Sequence, residues 1–197
     1  MQSPASGADR ARRRRPLTLW LILAVCAAPI AASYLAYYLW HPGQHTNYGE
    51  LIEPRSLPDS NLATFDGVPF RWTDLKGEWV LLTLDPGACD SACRTRLVYT
   101  RQVRLAQGRE TARVERVWIV IDGRPPDPAL VAEHPGLRVL RAGTDAFVTV
   151  LPAGGSARDH VYVVDPLGHL MMRFPADPDP RRMLKDISRL LRHSKWK

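Results

Sequence analysis

Two of the three cysteines in this 197-residue chain, Cys89 and Cys93, stand four apart where an apolar run gives way to a helical pattern. On a helix that spacing puts two side chains on one face, with Cβ atoms roughly 5 to 6 Å apart, so the sulfurs can close a disulfide or hold one ion between them. Unpaired N–H groups at a helix start lower the pKa of a thiol there. The thiolate that results is the species needed both for disulfide exchange and for a soft metal such as Cu(I). A purely stabilising disulfide is the competing role, normal for an exported domain. Closing so short a loop restricts the unfolded chain little, on a scale where a loop of about 15 residues gives about 3 kcal/mol, and this argues for chemistry.

The elements that must position these sulfurs can be read on either side of them. Residues 62–70 are two short apolar runs around Asp66-Gly67, which predicts a β-hairpin. The near-continuous apolar run 79–84 predicts a strand covered on both faces. A helix is expected over about 90–107, ended by Gly108, with Val98, Tyr99, Val103, Leu105 and Ala106 at three- and four-residue steps. Residues 114–121 read as a second buried strand, 125–133 as a short helix begun by prolines, and 137–140 as a short strand. Two runs, 161–164 and 169–174, flank Asp165-Pro166-Leu167-Gly168, which predicts an antiparallel pair. A basic helix over 181–193 closes the order with Leu184, Ile187, Leu190 and Leu191 inside. The alternating middle predicts a three-layer α/β/α sandwich with helices on both sheet faces, in the thioredoxin-like order.

Ahead of this domain, residues 17–40 carry no charge, and at about 1.5 Å per residue a helix of that length crosses a hydrocarbon layer of about 30 Å. Arg10, Arg12, Arg13, Arg14 and Arg15 precede it and Arg55 is the first basic residue after it, so the positive-inside rule places the N-terminus in the cytoplasm. Tyr34, Tyr37, Tyr38 and Trp40 form an aromatic belt at its outer end. The segments expected are a cytoplasmic basic N-terminus at 1–16, a transmembrane helix at 17–40, a tether at 41–61 and the domain at 62–197. A cleaved signal peptide ending near Ala31-Ala32-Ser33 is the alternative, against which stands an apolar stretch longer than the ~7 to 15 residues of a signal core.

The leader holds +4 of the formal +7, and much of the remaining charge lies in the C-terminal tail, where seven Lys and Arg residues from Arg181 to Lys197 face one acid, Asp186. This distribution does not read as nucleic-acid binding, and no base-reading pattern of arginine and aromatic residues occurs. Gly-rich phosphate loops, Gly-x-Ser-x-Gly and His-Glu-x-x-His are absent from the sequence. Met171 and Met172, adjacent on a strand, are expected on opposite faces and therefore not in one soft site. His41, His45 and His134 read as solvated tether or loop residues, and His169 as the start of a strand that points elsewhere.

Asp66-Gly67-Val68-Pro69, then Asp74-Leu75-Lys76-Gly77 before an apolar strand, resembles the opening of peroxiredoxin-like and Sco-like thioredoxin domains. Cys89-Asp90-Ser91-Ala92-Cys93 has the Cys-x-x-x-Cys spacing of the Sco/SenC family, and the segment 159–168 is similar to the one that supplies the family's copper-binding histidine. The resemblance covers about residues 60–193. It implies a membrane-anchored copper chaperone of the inner membrane, its domain in the periplasm, that serves assembly of the CuA centre of cytochrome c oxidase. It implies copper held by Cys89, Cys93 and His160, with the oxidase subunit carrying the copper site as partner. Two alternatives stand beside it. One is a thiol-disulfide oxidoreductase, with Cys89 attacking and Cys93 resolving, that keeps the partner's copper-site cysteines reduced; the other is a non-catalytic assembly factor. The chain departs from the family at Asp90, where proline is usual.

Overall fold

The structure, a computed structural model, describes residues 9–39, 47–57, 62–142, 151–152 and 155–194. It divides into two units, Met1–His45 and Thr46–Lys197. Among the described residues the first holds one helix, α1 (Asp9–Leu39). Within it Thr18–Tyr38, 21 residues of mean hydropathy 2.1, is long and apolar enough to cross a membrane. Trp40, His41 and His45 lie outside the described residues.

The second unit is built on a six-stranded sheet of order β1-β6-β5-β2-β3-β4, made of β1 (Glu50–Ser56), β2 (Trp79–Asp85), β3 (Val114–Val120), β4 (Leu137–Arg141), β5 (Tyr162–Val164) and β6 (His169–Arg173). β2, β3 and β4 run parallel, while β5, β6 and β1 add antiparallel. Every residue of β2 is buried, which is why its sequence is a near-continuous apolar run, broken only by Thr83 and Asp85, rather than an alternation. The crossover between β2 and β3 is α2 (Ser91–Leu105), and the shorter α3 (Pro128–Ala132) joins β3 to β4. The last helix, α4 (Pro180–His193), lies against α2 on the same side of the sheet.

Both faces are covered, by different means. On one, Leu81, Val114, Val163 and Met172 pack against Val103 of α2 and Met183, Ile187 and Leu191 of α4. On the other, Val80, Leu82, Leu84, Val117, Ile119 and Tyr162 pack against Leu57, Leu62, Phe70, Leu151 and the 3-10 turn Trp72–Leu75. The expected three layers are present, but among the described residues the second outer layer is this turn and coil rather than a long α-helix.

Three local features differ from or refine the sequence reading. The segment expected as tether contains β1, held on the sheet edge, where Pro54 falls in the irregular stretch between Leu51 and Arg55 and so interrupts no regular pairing. Tyr48 and Gly49 just before it donate their N–H groups to one carboxylate oxygen of buried Asp186 on α4, at 2.7 and 2.8 Å. The predicted hairpin forms around Gly67 (φ 84°), reduced to one bridge between Ala63 and Pro69. The β5–β6 pairing slips, so that Val163 faces Met172 and Val164 faces Leu170. Met171 is thus the extra residue of a bulge, and both methionines pack against one cluster instead of on opposite faces.

Asp186 is the single acid in the basic tail because the incoming chain needs an acceptor there. Asp186→Ala leaves two N–H groups without it, one of them buried, and should lower unfolding free energy by about 3 kcal/mol, with hydrogen exchange across residues 48–56 accelerating most.

Candidate functional site

The site forms where β2 hands the chain to α2. Asp85, the last residue of the strand, is fully buried and accepts a hydrogen bond from Arg96 of α2, Nη2 to Oδ1 at 2.7 Å. Its backbone carbonyl accepts from the indole Nε1 of Trp118 at 3.3 Å, which ties the strand end to β3. The chain then turns tightly. Cys89 N–H donates to the Pro86 carbonyl at 3.1 Å and Gly87 N–H to Asp122 Oδ1 at 2.9 Å. Gly87 passes so close to Arg124 that any Cβ there would collide with the Arg124 carbonyl. Cys89 leaves the turn at φ 25°, a left-handed conformation that costs a residue with a side chain about 1–2 kcal/mol.

Asp90 then caps α2, accepting from the Cys93 N–H at 2.9 Å. This places Cys89 just before the helix and Cys93 in its first turn, with Cα atoms 5.3 Å apart and the two sulfurs joined as a disulfide. Both cysteines are buried, Cys93 wholly and Cys89 with 3% of its residue surface exposed. Trp118, Val120, Leu97 and Leu130 enclose the pair, with Phe65, Leu137 and Val139 at its margin.

The other charged groups come from far along the chain. In the 3-10 turn Ala157–Asp159, Arg158 extends its guanidinium to Asp90 Oδ2 at 3.4 Å and to Asp85 Oδ1 at 3.8 Å. Burial pushes the Asp85 carboxyl up to about 6, in spite of the opposing pull of Arg96 and Arg158. Asp90 is held below the usual carboxylate range, first by the hydrogen bond from Cys93 N–H and then by the two guanidinium groups. In this cluster three buried polar atoms have no hydrogen-bond partner, Asp85 Oδ2, Arg96 Nε and Arg158 Nε.

His160 follows this turn but makes different contacts. Its Nδ1 lies 2.8 Å from the Phe174 carbonyl, which accepts, and its ring meets Tyr162 edge-on with centroids 6.0 Å apart. Among the described residues no three His, Cys, Asp or Glu side chains gather in a group able to hold a metal ion, Cys89, Cys93 and His160 included. His169 starts β6 and pairs with Asp165 at 3.4 Å. His134, expected in solvent, is instead 3% exposed, and burial beside Arg116 lowers its pKa. The short α3–β4 connection draws it inward.

Sequence reasoning missed Asp85, Arg96 and Arg158. A carboxylate closing an otherwise apolar strand and an arginine three residues after Cys93 were available signals; nothing local marks Arg158, which arrives from 68 residues beyond Asp90.

Residues 79–194 match the family model described as transmembrane-like, thioredoxin-like, C-terminal domain. The chain belongs to this family. Its fold is Sco-like, as solved structures of similar shape show. Apo Sco1 of Thermus thermophilus is 20% identical with a TM-score of 0.58, over 75% of this chain and 99% of that one. A copper-bound ScoI of Arabidopsis thaliana is 16% identical with a TM-score of 0.54, over 72% and 98%. A SCO1/SenC family lipoprotein of Bacillus anthracis is 17% identical with a TM-score of 0.51, over 72% and 99%. No curated protein matches the sequence.

The Sco-like domain should show the protonation of Asp85 in its stability. A carboxyl whose folded pKa lies near 6, above the unfolded value of 3.8, binds its proton more tightly when folded. Its contribution is therefore fully present below about pH 4 and is lost as pH rises through about 6, a difference of about 3 kcal/mol. Denaturant unfolding between pH 4 and 7 should show that downward slope in the wild type, and a flatter one in Asp85→Asn.

Proposed function

We propose that this is a membrane-held thiol-disulfide exchange protein of Sco-like fold, in which Cys89 and Cys93 are the working pair. The observation that carries the reading is the Cys89–Cys93 disulfide itself, closed across the first turn of α2. A bridge across five residues adds little stability, so its worth lies in opening and closing. α1 crosses the membrane with its arginines in the cytoplasm, and the domain faces the oxidising side, where a disulfide persists. The partner is a protein with a cysteine pair of its own, and the Sco-like fold suggests the copper-site cysteines of an oxidase subunit.

In the reducing direction the Cys89 thiolate attacks one sulfur of the partner's disulfide, forming a mixed disulfide and releasing the partner's other sulfur as thiolate. The Cys93 thiolate then attacks the Cys89 sulfur. The Cys89–Cys93 disulfide forms, the partner leaves as a dithiol, and a second dithiol is needed to reduce the pair again. Cys93, buried in the helix, suits the resolving step.

A second reading treats copper as cargo carried by the reduced pair with His160. Two thiolates are soft donors, and Sco proteins of similar fold have been solved with copper bound. The Phe174 carbonyl engages His160 Nδ1 and leaves Nε2 free to bind a metal, though among the described residues the ring is not grouped with the two sulfurs.

Cys93→Ser in the full chain should accumulate a mixed disulfide with the partner, and Cys89→Ser should form none; non-reducing electrophoresis after acid quenching separates the outcomes. Trapping that is lost in His160→Ala, together with retention of about one copper per reduced wild-type chain, would favour the cargo reading instead.

A further inference from the structure

The geometry points to Arg158 as a positioning residue for exchange at Cys89, the counter-charge that lets a sulfur anion form between two carboxylates. The inference rests on the reading of Cys89 and Cys93 as an exchanging pair. Cys89 follows Asp85 by four residues and precedes Asp90 by one, so a negative sulfur there develops beside two acids. Four charged side chains meet at this turn: Asp85 from β2, Asp90 from the helix cap, Arg96 from α2 and Arg158 from the Ala157–Asp159 turn. Asp122 reaches the same turn through the Gly87 N–H.

The two arginines are not equivalent. The Arg96 side chain is 6% exposed and engaged with Asp85 at 2.7 Å, which makes it a fixed partner of that carboxylate. Each keeps a buried Nε–H with no acceptor, but Arg158 is 38% exposed and spans Asp85 and Asp90 at the longer distances of 3.8 and 3.4 Å. A guanidinium so placed has a donor to spare and looser contacts to give up. An anion appearing at Cys89 is the acceptor it lacks.

The charge forms in a defined step. When an incoming thiolate opens the disulfide at Cys89, its sulfur bonds to Cys89 and the electron pair of the broken S–S bond leaves on Cys93. A second thiolate then attacks the incoming group's sulfur, that sulfur–sulfur bond breaks, and Cys89 departs as thiolate. Arg158 stabilises this leaving group, and by microscopic reversibility the attacking thiolate of the opposite direction. Because the oxidised pair carries no charge and the Cys89 thiolate does, the same contact favours the reduced state.

The test uses the full chain in detergent micelles with Cys26→Ser, so that Cys89 and Cys93 are its only thiols, equilibrated with reduced and oxidised glutathione and quenched by alkylation. Arg158→Gln should slow approach to equilibrium about tenfold and shift the equilibrium constant about tenfold toward the oxidised pair. Arg158→Lys should restore most of both, and adding Asp90→Asn to Arg158→Gln should restore part. A residue that merely held the fold would move the thermal midpoint without this pattern of rescue by charge. An unchanged rate and constant in Arg158→Gln, with the wild type exchanging normally, overturns this inference alone. A wild-type pair that never equilibrates with glutathione overturns the exchange reading and this inference with it.

Discussion

The ion pair between Asp85 and Arg96 is the constraint on which the site depends. Taking a carboxylate and a guanidinium out of water costs several kcal/mol per ion, and only close geometry offsets it. At 2.7 Å, with the Arg96 side chain 6% exposed and that of Asp85 not at all, the pair is committed to one arrangement. That arrangement fixes the end of β2 against the second turn of α2. The chain between them has no freedom to wander, so a turn passing under the Arg124 carbonyl at Gly87, with Cys89 in a left-handed conformation, can persist. The raised pKa of Asp85 is the other face of the same cost, since burial outweighs the attraction of two arginines.

Much of the frame was legible because its signals are local and periodic. The near-continuous apolar run of β2, the Asp-Gly hairpin, the turn at Gly168 and the helix beginning near Asp90 each follow from a few adjacent residues, and each lies where its pattern puts it. β1 was hidden because an edge strand needs little apolar sequence and tolerates Pro54, so composition alone makes it look like tether. The Met171 bulge was hidden because alternation assumes an unbroken register. At the site, the cysteine pair declared itself by spacing, whereas Arg158 and its contacts arise from tertiary proximity across 68 residues. His160 stood two residues from the side chain that reaches the cysteine turn, and a sequence carries no statement of which way a loop residue faces.

Fold and chemistry thus separate. The family is thioredoxin-like and the fold is Sco-like, but at 16–20% identity such likeness speaks to the backbone and not to what the cysteines hold. What this chain has around its cysteines is a set of two acids and two arginines, with two donors, Arg96 Nε and Arg158 Nε, and one acceptor, Asp85 Oδ2, left over. Such a set suits a site whose own charge changes as it works. It explains why an acid can stand next to the first cysteine: Asp90 caps α2 and is answered by Arg158.

The reduction potential of Cys89–Cys93 in the folded full chain tests the central claim most directly. A working exchange pair should titrate reversibly in thiol buffers at a potential above about −300 mV, within the range of exchange proteins. A pair that stays oxidised well below that value, or that opens only as the domain unfolds, would be a structural staple and would contradict the account.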